Sequence, residues 1–275
     1  MRPEHLRSQT MSTGAWREDG EAKSRVLTKV GYRFGGRGTH TSRTIMSAEL
    51  TDLLSASPSS ATRANYEAAI VDQNSLGKST TASRRLTNQR LGELYGLDET
   101  IPVFRVLRRI WSIDEAGRPL LAMMCALTRD PLLRATVEPV LSLPVGTELV
   151  RSAFLGALRD VVGARLNDAV LDKVARNAAS SWSQSGHLLG RMRKIRQRVE
   201  PTPGAVAYAL WLGTMEGLRG DALLSSRWTA VLDRSGQELV PLVLHAKQLG
   251  LIHARVGGGV IEIDANRLDP AWKAA

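Results

Sequence analysis

The sequence predicts a mainly α protein, built of helical bundle units with winged-helix-like elements and short β-hairpins in the C-terminal half. Three observations carry this. From Arg43 to Gly163 apolar residues recur at helical spacing and no stretch alternates as a strand would. From Asn167 a long amphipathic helix runs to a stop at Gly186, and a basic segment follows at once. At the C-terminus "SGQELVPLVLHAKQLGLI" reads as a helix capped by Ser235 and ended by Gly250, and "LIHARVGGGVIEID" as two short strands around Gly257, Gly258 and Gly259.

Residues 1–42 are rich in Gly, Ser, Thr and Arg, lack a sustained period, and read as a flexible basic N-terminal arm. Residues 43–163 form the expected N-terminal helical domain. It opens with "SRTIMSAELTDLL", in which Ile45, Leu50, Leu53 and Leu54 fall near one face. "SATRANYEAAIVDQN" and "STTASRRLTNQRLGELYGL" supply two more helices, and three short helices on tight turns suit a helix-turn-helix or any small bundle. "IPVFRVLRRIWSIDEAG" and "RPLLAMMCALTRD" are strongly apolar and are punctuated by Pro102, Pro119 and Pro131. With "PLLRATVEPVLSLP" and "TELVRSAFLGALRDVVG", whose stripe is Leu149, Phe154, Leu155 and Leu158, they mark 101–163 as the packed centre.

Residues 164–275 are the expected C-terminal winged-helix-like domain. "NDAVLDKVARNAASSWSQSGHL" is a helix capped by Asn167 or Asp168, with Val170, Leu171, Val174 and Ala178 inward. The following "LGRMRKIRQRVEP" is ambiguous. Leu188, Met192, Ile195 and Val199 have helical spacing, whereas Gly190 and the position after a helix stop favour a hairpin wing. "PGAVAYALWLGTMEGL" and "RGDALLSSRWTAVLDR" supply the helices of a second unit that ends in the glycine-rich hairpin.

With 37 Lys+Arg against 27 Asp+Glu, the formal charge is +10 and the pI near 10.3. Such an excess points to a polyanion, nucleic acid before an anionic membrane surface, and arginine's fork matches phosphate oxygens. Cys125 is the only cysteine, so no internal disulfide or thiolate metal cluster can form, and its apolar helical setting suits a buried thiol. No run approaches the eighteen or so apolar residues of a membrane span, and no signal-peptide core is visible, so a soluble cytoplasmic protein is expected. The chain lacks Gly-x-Ser-x-Gly, His-Glu-x-x-His and paired-cysteine spacings, and its five histidines are scattered. No enzyme, metal or cofactor is expected.

"NSLGKST" ends like a nucleotide-binding loop, but the glycine required five residues before Gly77 is Asp72, whose carboxylate would repel phosphate. A helix start capped by Ser79 or Thr80 fits better. The first candidate for a DNA contact is the cluster Arg191, Arg193, Lys194, Arg196 and Arg198, five cations in eight residues, set against a merely solvated basic face. In the preceding helix Ser181, Ser183 and Gln184 have the reach for base edges or phosphates, while Trp182 packs between helix and wing. Lys78, Arg84 and Arg85 make a second patch at a helix start. Lys247 and Arg255, with His253, place a third near the last hairpin, where Glu262 and Asp264 oppose phosphate approach.

"DQNSLGKST", "RRL", "LYGLD", "RDPLLR", "ARNAASSWSQSGHLLGR", "PGAVAYALWLG" and "VGGGVIEID", in that order and spacing, resemble the BrxA family of bacterial BREX phage-defence systems, over about residues 43–264. The resemblance implies a mostly helical, non-enzymatic protein that binds double-stranded DNA and is encoded beside methyltransferase, ATPase and phosphatase-like partners. It also implies that the Gly-Lys segment belongs to the helical fold. The alternatives are a helical scaffold docking a larger defence enzyme or RNA, and a sequence-specific winged-helix transcription regulator.

Overall fold

The structure, a computed structural model, describes residues 21–257 and 260–272. It is mainly helical, with two short antiparallel hairpins late in the chain. The first helix, α1 (Glu21–Val30), lies within the stretch read as a flexible arm, and that reading fails for residues 21–42. Leu27, Val30, Tyr32, Thr39 and His40 are all buried, and the Tyr32 hydroxyl donates to Glu216 Oε1 at 3.1 Å. Too few apolar residues sit here to make a visible period. What holds the segment is burial of Leu27, Val30 and Tyr32 in the core together with polar contacts to residues far along the chain, and sequence patterning is blind to such distant partners. Residues 1–20 of the expected arm lie outside the described residues.

Next come α2 (Ser47–Ala56), α3 (Arg63–Val71) and α4 (Thr81–Tyr95). Local chemistry sets their starts. Thr62 and Asn65 exchange bonds in a capping box, and Thr80 accepts from the Ser83 amide, as the helix-start reading of the Gly-Lys segment requires. Helices α5 (Pro102–Trp111) and α6 (Arg118–Arg129) each carry proline in the first turn, where a missing N–H costs nothing. From Leu120 to Arg129 every residue of α6 is buried, so this helix is the axis of the core. Cys125 lies on it, and burial pushes its thiol up to about 11, leaving it inert at neutral pH.

Short helices α7 (Pro131–Arg134) and α8 (Val137–Leu141) lead to α9 (Arg151–Val162) and α10 (Asp168–Gln184). Strands β1 (Leu188–Leu189) and β2 (Ile195–Arg196) then pair antiparallel, so the ambiguous segment is a hairpin. Helix α11 (Pro203–Met215) is buried on all sides from Gly204 to Thr214, as its uniformly apolar sequence demands. Around it stand α12 (Asp221–Leu224), α13 (Arg227–Ala230) and α14 (Val240–Gln248), with β3 (His253–Gly257) and β4 (Val260–Asp264) closing the chain as the second hairpin. No side chain caps α14. A 3-10 turn over Gly236–Leu239 precedes it in place of the expected Ser235 cap.

Trp182 is fully buried beneath the first hairpin, its indole N–H donating to Thr136 Oγ1 at 2.8 Å and its ring edge-on to His187. His187 Nε2 lies 2.7 Å from the Val231 carbonyl, which only accepts, so Nε2 carries the proton and Nδ1 faces the Ser185 hydroxyl at 2.8 Å. Burial lowers this imidazole to about 4 from its ordinary 6.5. Between those values the unfolded chain binds a proton that the folded chain refuses, so stability rises with pH there. The prediction is a loss of about 3 kcal/mol as pH falls from 6.5 to 4, and little further loss from this group below 4. Urea midpoints across that range, for the native chain and His187→Gln, check it. The glutamine variant should lack this slope.

Candidate nucleic-acid interface

The winged character of the segment from α8 to β2 rests on a third extended segment, bridged to the hairpin at one residue pair. Glu148, between α8 and α9, pairs antiparallel with Ile195 of β2. The Leu149 amide donates to Lys194 O at 2.8 Å and the Arg196 amide to Thr147 O at 2.9 Å, so this single bridge is closed by two backbone hydrogen bonds. The order is therefore helix, extended segment, helix, helix, strand, turn, strand, with the extended segment against the last strand. That is the arrangement in which the last helix, α10, is presented for a groove and the hairpin flanks it. Asn167 caps α10 through the Val170 amide, and α9 packs against α10 across residue 163, where the two halves of the chain were expected to divide.

One side of α10 is taken. The segment from Gly38 to Ser47 runs along it, and each polar residue at helical spacing is occupied. Asn177 Nδ2 donates to His40 O at 2.7 Å, and Ser181 Oγ receives the Ile45 amide at 3.0 Å and faces His40 Nε2 at 2.8 Å. Gln184 accepts from the Ser47 amide and hydroxyl and donates to Thr44. The expectation that Ser181 and Gln184 reach a nucleic acid is thus corrected. Ser181 is fully buried, and the Gln184 amide is spent on the crossing chain. Ser183 is half-buried, donating to Ala179 O and receiving Lys194 Nζ at 2.9 Å.

Asp130, His40 and Ser181 stand in the order of a hydrolytic triad, with His40 Nδ1 2.7 Å from Asp130 Oδ2. All three are buried, and the serine oxygen already receives the Ile45 N–H, so the trio works as a tie between segments. Gly38 fits only because it lacks a side chain. A Cβ there would lie 2.1 Å from Asp130 Oδ1. Sequence reasoning missed His40, which falls in the stretch read as an arm. The one visible signal was Asp130 before Pro131, a helix-start pair.

The first-choice cluster divides by role. Arg196 is corrected outright. It is buried, with its fork on Asp233 and its Nε donating to Val140 O at 3.0 Å. Arg193 pairs with Glu148 at 2.6 Å and Arg198 with Glu238 at 3.1 Å, while Lys194 also donates to Gly190 O. Only Arg191, exposed at the tip, makes no hydrogen bond or ion pair among the described residues. Among the described cations that the sequence reading passed over, Lys29, Arg37, Arg165 and Lys173 share that condition. Arg165 lies between α9 and α10 against Gly36, beside the crossing segment, and Lys173 is exposed on α10 one turn before Asn177. Lys173, Arg176, Ser180 and Ser183 follow at three- and four-residue spacing and lead to Lys194 of the wing.

The other patches are thinner than expected. Lys78 Nζ pairs with Glu49 at 3.1 Å, and Arg84 donates to Val71 O at 3.0 Å, which leaves Arg85 as the exposed cation at the start of α4. In the C-terminal unit Lys247 and Arg255 are exposed, but Arg255 stands opposite Glu262 in the β3–β4 register and His253 opposite Asp264. Those carboxylates cancel the local positive field. Among the described residues no group of histidine, cysteine and carboxylate side chains is placed to hold a metal ion, and no helix is long and apolar enough to cross a membrane.

No protein-family model matches the sequence, and a search of curated proteins finds no match.

Proposed function

We propose that this protein binds double-stranded DNA without acting as an enzyme, as an accessory component of a BREX phage-defence system of the BrxA kind. The observation that carries the reading is the winged unit built on α10, with Arg165, Lys173 and Arg191 exposed and unpartnered around it. Cations already paired with carboxylates release few counterions on meeting phosphate, whereas these three bring their full charge. The +10 net charge favours the same partner by drawing a polyanion from a distance. The resemblance of the segments from residue 43 to 264 to BrxA supports the defence setting, with a methyltransferase, an ATPase and a phosphatase-like protein as partners and the cytoplasm as the place of action.

The test is fluorescence anisotropy with a random-sequence duplex from 50 to 200 mM salt. Each phosphate contact contributes about −0.9 to the slope of log affinity against log salt. The native chain should show a slope of about −3 or steeper, and Arg165→Glu, Lys173→Glu and Arg191→Glu combined should weaken binding by more than about tenfold and flatten the slope by roughly three. Binding that ignores salt, or retention of full affinity by the triple variant, refutes this reading. An RNA duplex competing better than DNA would reassign the partner.

A further inference from the structure

We propose that the tip of the first wing enters the DNA minor groove, with Arg191 lying along its floor and Met192 packing between its sugar walls. This rests on the reading of the winged unit as a duplex-binding element. Met192 is 90% exposed, the most exposed large apolar side chain among the described residues, and Leu189 on the same hairpin is 65% exposed. A wing that merely followed phosphates would need cations there and would gain nothing from a thioether in water. An apolar side chain between two arginines suits the minor groove, where sugar C–H groups and base edges receive wedges and arginine answers the negative potential of a narrow groove.

The turn is also held in place, and the residues flanking the two inserting ones, Gly190, Arg193 and Lys194, are tied back to the unit. Gly190 has φ +109°, and a Cβ there would lie 2.1 Å from Arg193 O, so the turn is closed as tightly as a glycine allows. Lys194 Nζ bridges Gly190 O at 2.6 Å and Ser183 Oγ at 2.9 Å, tying the turn to α10. Arg193 is drawn back onto Glu148, its Nε donating at 2.7 Å. Arg191 and Met192 at the turn are left with no hydrogen bond or ion pair of their side chains among the described residues. A two-residue tip matches a groove about 6 Å wide, and α10 beside it faces the adjoining major groove.

The guanine 2-amino group sits on the minor-groove floor and obstructs such a tip. Inosine lacks that group and keeps the major-groove edge unchanged. The full chain is therefore titrated against two duplexes of one mixed sequence, one with guanine and one with inosine throughout. The native protein should prefer the inosine duplex by about five- to tenfold, the scale of one groove contact. Met192→Ala and Arg191→Ala should each bring the preference within about twofold, whereas Lys173→Ala should weaken both duplexes alike and keep the preference. All three positions are exposed, and matching thermal melts establish that the variants fold. Equal, salt-sensitive binding of both duplexes by the native chain overturns the wing proposal and leaves DNA binding standing. So does a preference that survives both tip variants. Failure of the native chain to bind either duplex removes the DNA reading itself, and the wing proposal with it.

Discussion

Replacing Asp130 by alanine is expected to destabilise the protein by about 3–5 kcal/mol, enough to unfold a marginal domain. The carboxylate is 1% exposed and serves four N–H groups. Its Oδ1 receives the Leu132 and Leu133 amides at 2.9 and 3.1 Å and so caps α7, and its Oδ2 receives the His40 amide at 3.1 Å and His40 Nδ1 at 2.7 Å. Removing it strands all four donors where water cannot replace the lost partner. Burial alone would raise this carboxyl. The charge and hydrogen bond of His40, with the Leu133 and His40 amides, outweigh that and hold it below the ordinary range. A depressed carboxylate stabilises fully above its unfolded value, near pH 4, and the contribution disappears as pH falls through the lower folded value. Denaturant midpoints of native, Asp130→Ala and Asp130→Asn chains at pH 7 and pH 3 measure this. An alanine variant as stable as the native chain at pH 7 would show that the His40–Asp130 tie holds nothing.

Arg196→Ala is expected to cost a similar amount, about 3–5 kcal/mol, with no direct effect on DNA contact. The Arg196 side chain is 3% exposed and Asp233 11%, and Asp233 Oδ2 also receives the Val199 amide at 2.9 Å. Truncating the arginine leaves that carboxylate without its counter-charge and removes one of the donors to the Val140 carbonyl. Arg191→Ala, at the tip of the same hairpin, removes a side chain with no partner and should leave stability unchanged within about 0.5 kcal/mol. Chemical denaturation and anisotropy on both variants separate the roles. Arg196→Ala should lose stability and, where still folded, keep its salt slope. Arg191→Ala should do the reverse. The same contrast bears on any charge reversal of the whole 191–198 cluster, which would unfold the unit and so say nothing about DNA.

Much of the helical architecture was legible because it is local. Periodicity marked the helices of the middle section, and the cap at Thr80 answered the nucleotide-loop question raised by Gly77-Lys78, since the atoms involved lie within a few residues of one another. The hairpin at 188–196 was legible only as one of two choices. Its apolar residues fit both periods, and what selects the hairpin is the extended segment at Glu148 on which it pairs. Site residues fared worst where partners were distant. Ser181 looked like a polar position on an exposed helix face, and the bond that hides it comes from Ile45, 136 residues earlier.

Sequence alone determined most of the helices and several of their caps, the absence of any disulfide within the chain, and the net positive charge, because each follows from neighbours in the chain or from a simple count. Tertiary structure decided which of those charges remain unpaired and which side of α10 stays open. A salt bridge or a buried hydrogen bond joins residues by distance in space, and folding brought Arg196 to Asp233 and His40 to Asp130 across separations that no periodicity records.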